Sequence, residues 1–323
     1  MTDRATGLFI PAAAALHDPG WGHPEHQGRL PALADAIGRA LPLLHGRVEQ
    51  LEGRLATLEE LSRVHPPVHL ERVHQASARA GETGNPVLAG EEVPLSGASW
   101  EAILGSAGCA LEASERITAG RLRNAFVATR PPGHHASAER AMGFCPVNHV
   151  AVVARHLQAS GAAERVAIVD WDVHHGNGTQ DIFYEDPSVF YLSLHQWPFY
   201  PGTGGEDERG AGRGRGTTLN VPIAAGTSRE VYAEAFAGAL EKAERSITPD
   251  FILISAGFDA LAGDPLGGLL LEPEDFHTFA QSVMGWAGRA CAGRVLALLE
   301  GGYEPVRTGM AAVGTLTALA GSA

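Results

Sequence analysis

The chain of 323 residues has little cysteine and no long apolar run. Its three cysteines, Cys109, Cys145 and Cys291, are an odd number without a CxxC pair, which argues against a disulfide framework and against a cysteine-based zinc site. The apolar run 8–16 is too short to span a membrane, contains Pro11 and lacks the basic start of a signal peptide. It predicts a first strand that leads into a loop. We therefore expect a cytoplasmic protein with no membrane partner.

Positive charge is also scarce. The chain has 24 Lys and Arg residues against 37 Asp and Glu residues, for a formal net charge of −13, and no basic stripe. These counts predict no nucleic-acid partner. The hydrophobic share of 45% is that of a globular protein with a sizeable core, and no repeat or long linker divides the chain. The Gly-rich segment 205–216 is short enough to be a surface loop, so we predict a single domain over residues 1–323.

Short β-rich runs alternate with Ala-rich stretches of helical period. The runs are almost continuously apolar, as parallel strands buried on both faces are, and they lie at 124–130, 165–171, 189–194, 250–256 and 294–300. The helical stretches between them include 100–117, 147–159 and 231–246. This alternation predicts an α/β protein with a three-layer α/β/α architecture and a mostly parallel central sheet.

Polar clusters follow five of these strands, as RPPGHH, DWDVHHGNG, SLHQ, SAGFDALAGDP and LEGGY. Open parallel sheets bind ligands at the carboxyl ends of their strands, so these clusters should meet at one edge. On an extended chain Asp170, Asp172 and His174 share one face, whereas His175 points the other way. Carboxylates and an imidazole suit Zn²⁺ or another divalent ion, and Asp259 offers a third ligand from another strand.

Two further clusters supply candidate groups for proton transfer and charge stabilisation. His134 and His135 are either additional ligands or, because histidine titrates near neutrality, proton-transfer groups beside a metal-bound water. Tyr303 follows two glycines that allow close approach of the backbone, and its phenol can donate to a developing oxyanion. A packed rim aromatic is the alternative at that position. Asp264 lies between Gly263 and a proline and therefore indicates a turn rather than a ligand.

In this order the motifs resemble those of the zinc-dependent histone deacetylases of the arginase–deacetylase superfamily, and specifically their bacterial, class II-like members. The resemblance extends from HDPGWGHPEHQGRL at 17–30 to LEGGY and so covers most of the chain. It implies the arginase–deacetylase fold, one zinc ion, a structural potassium ion and the hydrolysis of an acyl-lysine amide. An acetylpolyamine or another small acylated amine is the alternative substrate, and an oligomer is compatible with the sequence.

The resemblance also implies a role for each matching residue. The implied zinc ligands are Asp172, His174 and Asp259. The implied catalytic residues are His134, His135, Tyr303, Asp170 and Asn177. The implied potassium ligands are Asp170, Ser193 and Leu194, together with Asp172 and His174. The implied walls of the substrate channel are Gly143, Phe144, Tyr200, Leu266 and Glu91.

These implied roles describe a metal-assisted hydrolysis. His135, oriented by Asn177, takes the proton of the attacking water, and His134, held by Asp170, stays largely cationic. Tyr303 stabilises the oxyanion. Asparagine at 177 is similar to class II members, because class I members carry aspartate there.

Substrate choice depends on weaker signals. Leu266 is apolar where acetylpolyamine-selective relatives carry an acidic residue, which favours acyl-lysine. Either Glu91 or Glu92 lies where some members hold the substrate backbone. The chain departs from the family pattern at His149, where asparagine is common, and at Glu304.

Two other functions are weighed against hydrolysis of an acyl-lysine. A dimanganese ureohydrolase of the same fold needs carboxylates for two ions, whereas these two clusters offer enough for one. A catalytically inactive reader of acyl-lysine would lack a ligand, the histidine pair or Tyr303, yet all of these are present.

Overall fold

The computed structural model describes residues 4–321. Eight strands form one sheet in which every adjacent pair runs parallel, and a short antiparallel pair stands apart. In chain order the strands are β1 (Thr6–Phe9), β2 (Val48–Leu51), β3 (Val87–Leu88), β4 (Pro94–Leu95), β5 (Asn124–Val127), β6 (Val166–Asp170), β7 (Val189–Gln196), β8 (Thr218–Ile223), β9 (Phe251–Ala256) and β10 (Val295–Leu299). The large sheet has the order β2-β1-β5-β10-β9-β6-β7-β8.

Helices connect the strands and cover both faces of the sheet. They are α1 (Arg29–Ala40), α2 (Leu58–Leu61), α3 (Pro67–Thr83), α4 (Ser99–Thr118), α5 (His149–Ala159), α6 (Asn177–Phe183), α7 (Arg229–Ser246), α8 (Pro273–Ala290) and α9 (Pro305–Ala320). Short 3₁₀ helices lie at Ala12–Leu16, Leu41–Leu44 and Gly212–Gly214. No helix in the described part of the chain is long and apolar enough to cross a membrane.

The core consists of two apolar clusters, one on each face of the sheet. Successive strand residues point to opposite faces, so Ile252 and Ile254 join one cluster while Leu253 joins the other. The first cluster contains buried side chains of α1, α7, α8 and α9, and the second contains those of α3, α4 and α5. Burial on both faces explains why the strand sequences are continuously apolar. The predicted three-layer α/β/α architecture is therefore confirmed.

The predicted elements agree with the structure apart from their ends. The largest difference is in the run 124–130, where β5 stops at Val127. Pro131 and Pro132 have no backbone N–H and cannot continue a ladder in the middle of a sheet. Thr129 instead donates its hydroxyl to the carbonyl of Leu299, at 2.6 Å, as the chain leaves the sheet. The central sheet was expected to be mostly parallel, and all of its strand pairs are parallel.

Candidate active site

Four neighbouring strands in the middle of the sheet deliver the candidate site. In the order β5, β10, β9 and β6 they lie side by side, and their carboxyl ends face the same edge. His134 and His135 follow β5, Tyr303 follows β10, Asp259 follows β9 and Asp172 follows β6. The structure thus brings together polar residues that are up to 169 positions apart, from His134 to Tyr303.

Asp172, His174 and Asp259 form a buried cluster of potential metal ligands. One ligand atom from each lies within 4.8 Å of the others. The Nδ1 atom of His174 is 3.1 Å from a carboxylate oxygen of Asp172 and 3.1 Å from one of Asp259. Two carboxylates and one imidazole, with no other protein ligand in the cluster, match the donor set of a catalytic zinc site.

The surrounding backbone is shaped to fit these carboxylates. The N–H groups of Gly301 and Val173 donate to Asp172 and Asp259, each at 2.8 Å. A Cβ atom on Gly301 would come within 2.0 Å of an Asp259 oxygen, and one on Gly257 would come equally close to Asp172. Only glycine leaves room for the acidic side chains here, so the strand ends form a cradle for them.

The first histidine of the tandem pair is held among carboxylates. The Nδ1 atom of His134 is 3.1 Å from Asp170 Oδ2, and its Nε2 atom is 3.8 Å from Asp172 Oδ1. Burial disfavours the charged imidazolium, but the negative charges of Asp172 and Asp170 outweigh it and raise the pKa of His134 well above its usual value. The surroundings of His134 therefore favour its charged form.

The second histidine has the opposite environment. The Nδ1 atom of His135 is 2.8 Å from Asn177 Oδ1, so that nitrogen carries the proton and donates to the neutral amide oxygen. Burial, with the positive charges of His134 and His174, lowers the pKa of His135 well below its usual value. Nε2 is thus free of a proton and can accept one, and this ring lines the cavity. The two adjacent histidines thus have pKa values shifted in opposite directions by their surroundings.

Tyr303 is held from both its backbone and its ring. Its N–H donates to Asp264 Oδ2 at 2.7 Å, and the Arg29 guanidinium lies 4.7 Å from the centre of its ring. Asp264 also accepts the N–H of Leu266 at 2.9 Å, which agrees with the turn that its sequence indicates. Burial raises the pKa of Tyr303 well above its usual value, so the phenol keeps its proton and remains a hydrogen-bond donor.

A cavity of about 270 Å³ leads to these groups. It is lined by Glu92, His135, Gly143, Phe144, His174, Phe199, Tyr200, Pro265, Leu266 and Tyr303. Four of the five predicted channel residues therefore line it. The fifth, Glu91, does not: its side chain is mostly exposed and pairs with Arg140, while its backbone carbonyl accepts the N–H of Gly143. Of the two glutamates considered for this position, the cavity lining therefore includes Glu92 and not Glu91, because adjacent side chains diverge.

The residues expected to hold potassium lie beside the metal cluster. Asp170 and Ser193 are paired in the parallel register of β6 and β7, and Leu194 follows on the same buried strand. Asp170 Oδ1 accepts the N–H of Asp172 at 3.1 Å. The Ser193 hydroxyl is 2.9 Å from His195 Nδ1.

The remaining residue of the motif, His175, is turned towards other partners. Its two ring nitrogens are 2.8 Å from the Thr203 hydroxyl and 3.1 Å from Gln180 Oε1. The two departures from the family pattern also lie outside the cavity lining. His149 is the first residue of α5, where Asn148 is the cap, and Glu304 caps α9 by accepting the N–H of Arg307.

Several residues around the site were not anticipated. Tyr191 donates its hydroxyl to Asp170 Oδ2 at 3.0 Å, and the Phe199 ring stacks on the His174 ring with centroids 5.4 Å apart. Arg29 donates to the carbonyls of Glu300 and Gly302. Their only signal in the sequence is a place in or near a motif: Arg29 lies within the segment 17–30, and Tyr191 precedes SLHQ.

Comparisons with known proteins agree with this geometry. The histone deacetylase domain family matches residues 23–319. The chain is 40% identical over 286 residues to Histone deacetylase 15 of Arabidopsis thaliana, which covers 87% of this chain and 50% of that protein. It is 38% identical over 299 residues to the Histone deacetylase-like amidohydrolase of Pseudomonas aeruginosa, covering 92% of this chain and 75% of that protein. The crystal structure of the HDA15 HD domain is similar with a TM-score of 0.90 and 36% identity, covering 98% of this chain and 91% of that chain.

The fold is the arginase–deacetylase fold, and in this chain its parallel sheet presents carboxylates and histidines at one edge. Because the matched domain covers nearly the whole sequence, the chain belongs to the histone deacetylase family. The predictions of family and fold are thereby confirmed. The chain spans between half and two thirds of the length of two plant relatives that it matches.

Proposed function

We propose that the chain is a zinc-dependent amidohydrolase that removes acetyl or other acyl groups from the ε-amine of lysine. One observation carries the proposal: a neutral histidine, a protonated phenol and a ligand of the buried Asp–His–Asp cluster all line one cavity. That combination provides a base, an oxyanion donor and a ligand for a metal ion at the same place. The proposal takes residues 1–323 as a single catalytic domain.

The metal would be held by Asp172, His174 and Asp259. Zn²⁺, when bound there, supplies a Lewis acid that polarises the acyl carbonyl and acidifies a water molecule. The support is the donor set: three buried side chains of the types that zinc prefers, of which the two carboxylates are fixed by backbone N–H groups and His174 lines the cavity.

The chain's own residues would move the protons. His135 Nε2 takes the proton from the attacking water and returns it to the leaving amine, while Asn177 keeps its ring oriented. His134 stays charged beside Asp170 and contributes by its field. Tyr303 donates its hydroxyl to the oxyanion of the tetrahedral intermediate, a contribution of about 3 kcal/mol for one such donor.

A structural potassium ion would be held by Asp170, Ser193 and Leu194 with Asp172 and His174. The support is that all five are buried and lie where β6 ends beside β7. Such an ion would stabilise the end of β6, which leads to two of the proposed zinc ligands. Melting temperatures in matched potassium and sodium buffers test this assignment.

An acyl-lysine stem suits the cavity better than a polyamine does. Phe144, Phe199 and Tyr200 are aromatic walls for a methylene chain, and Leu266 adds an apolar side chain. The acetylpolyamine reading remains the second candidate, because Glu92 lines the same cavity and a carboxylate can attract a second amine.

A panel of substrates tests the function and its alternative. We expect the metal-loaded enzyme to show higher kcat/KM for acetyl-lysine peptides or longer acyl-lysine peptides than for acetylpolyamines. A strong preference for acetylpolyamines would favour the second candidate. Metal-loaded, folded enzyme that hydrolyses none of these amides would contradict the proposal.

The metal content separates this proposal from a dimanganese ureohydrolase. We expect one ion per chain. Within residues 4–321 a second group of potential ligands, Glu60, Glu115 and His156, lies away from the cavity, and Arg54 already donates to both glutamates. A measured content of two ions per chain would therefore favour the ureohydrolase.

A further inference from the structure

Glu300 is a buried carboxylate that the proposed reaction does not use. It comes directly after β10 and is 1% exposed. Its Oε2 atom accepts the backbone N–H groups of Gly133 at 2.6 Å and of His134 at 3.2 Å. Its Oε1 atom accepts the hydroxyl of Ser255 at 3.1 Å. Because β10 lies between β5 and β9, this one side chain connects the segment of the histidine pair to the strand that leads to Asp259.

We propose that Glu300 is a positioning residue for His134 and His135, an inference that rests on the proposed function. Both histidines follow the end of β5, in a segment whose backbone no longer has the ladder partners of a strand. Backbone groups in such a segment must find other partners when they are buried. Two consecutive N–H groups bound to one carboxylate oxygen fix the direction of the chain where the imidazoles project.

The rest of the environment holds the carboxylate itself in place. Arg29 donates to the backbone carbonyl of Glu300 at 2.8 Å. The titratable side chains that act on the carboxylate or feel its charge are His134, Asp170, Asp172 and Cys145. Burial raises the pKa of Glu300 to about 7, against the opposing charge of His134. A carboxyl oxygen can accept N–H groups with or without the negative charge, so the hydrogen bonds are the feature that matters.

Two variants separate the hydrogen bonds from the charge. Glu300→Gln keeps the shape: its carbonyl can accept both N–H groups, and its NH₂ can donate to the Ser255 hydroxyl. Glu300→Ala removes all three bonds. We expect Glu300→Ala to lower kcat by roughly 30- to 100-fold, with KM and zinc content nearly unchanged, since small displacements of catalytic groups cost that much. Glu300→Gln should stay within about threefold of the wild type.

Glu60→Ala is the matched control. Glu60 also accepts a backbone N–H, that of Thr57 at 2.8 Å, but it lies in α2, outside the cavity. We expect this variant to lose stability without a change in kcat. If kcat falls in proportion to the loss of stability in all of these variants, the effect is one of stability and the positioning role is contradicted.

Amide hydrogen exchange gives a reading that does not depend on turnover or on the alanine variant folding. The amides of Gly133 and His134 should be strongly protected in the wild type and in Glu300→Gln. Fast exchange of both in the wild type, equal losses of kcat in Glu300→Gln and Glu300→Ala, or a folded Glu300→Ala with normal kcat would each overturn the inference. A wild type that hydrolyses no acylated amine would instead contradict the proposed function, and the exchange data would still decide whether Glu300 anchors this segment.

Discussion

Tyr303 lines the cavity together with His135 and His174, and its protonated phenol is the proposed oxyanion donor. Replacing Tyr303 by Phe removes only the hydroxyl. We expect kcat to fall by about 100- to 1,000-fold, the usual cost of losing one such donor, while the zinc content is unchanged. The measurement is steady-state kinetics on an acetyl-lysine peptide, with the metal content of each preparation.

A buried phenol outside the cavity provides the control for that experiment. Tyr232 on α7 is 1% exposed and does not line the cavity. Tyr232→Phe should retain normal kcat. Near-normal turnover by Tyr303→Phe would remove the phenol from the mechanism.

Asn177 sets the charge environment of the proposed base. Asn177→Asp keeps the size of the side chain but places a negative charge against His135 Nδ1, now 2.8 Å from a neutral amide oxygen. An adjacent carboxylate raises a histidine pKa, by about one unit or more. The base works only when neutral, so the acidic limb of the kcat/KM profile should move to higher pH. A profile of kcat/KM against pH measures this; an acidic limb that stays in place would mean that His135 is not the base.

For single residues, some roles could be predicted from the sequence and others could not. The alternation of side chains along a strand separates His174 from His175, and the structure places them against different partners. The choice between Glu91 and Glu92 could not be made in this way, because both lie in a segment without regular alternation. Glu92 has a φ of +56°, which no local pattern indicates.

The packing of backbone segments against one another also limits which residues fit. Gly143, which lines the cavity, is an example. Gly143 has a φ of +55°, and a Cβ atom there would lie 2.5 Å from His135 Cδ2. Gly143→Ala should therefore displace the base or close the cavity, and we expect kcat/KM to fall by roughly 100-fold. Kinetics together with thermal unfolding measure the two effects separately.

Gly161 offers the matched control for backbone strain alone. It has a φ of +72°, and a Cβ atom there would meet nothing within 4 Å. Gly161→Ala should cost about 1 kcal/mol of stability, as a left-handed alanine does, with no change in kcat/KM. Equal losses of activity in both variants would mean that backbone strain, rather than contact with His135, explains the effect.

The order of strands is what the sequence alone could not supply. Periodicity predicts each strand because it is a property of neighbouring residues, but β10 pairs with β5 and β9, which are distant in the chain. The contact of Glu300 with Gly133 depends on that pairing. For the same reason Tyr191 could not be paired with Asp170, since that contact needs β7 beside β6.

At the scale of the whole molecule, stability is coupled to pH through buried histidines. His149 is 1% exposed, its Nε2 donates to the carbonyl of Pro131 at 3.1 Å, and burial lowers its pKa to about 4. In the unfolded chain His149 binds a proton as the pH falls through about 6.5, whereas in the folded chain it does so only near pH 4. This group therefore favours folding fully above pH 6.5, and its contribution is lost as pH falls through that interval.

A comparison of His149→Gln with the wild type at two pH values isolates this contribution. Glutamine does not titrate, so the stability deficit of the variant should shrink by about 2 kcal/mol between pH 7.5 and pH 5, because only the wild type loses the histidine contribution. Urea unfolding at both pH values, at constant metal content, measures the deficit. Leu316→Ala, which opens a cavity in α9 without changing a titratable group, should show the same deficit at both. If the His149→Gln deficit is also constant, burial of a neutral His149 does not contribute to the acid sensitivity of the fold.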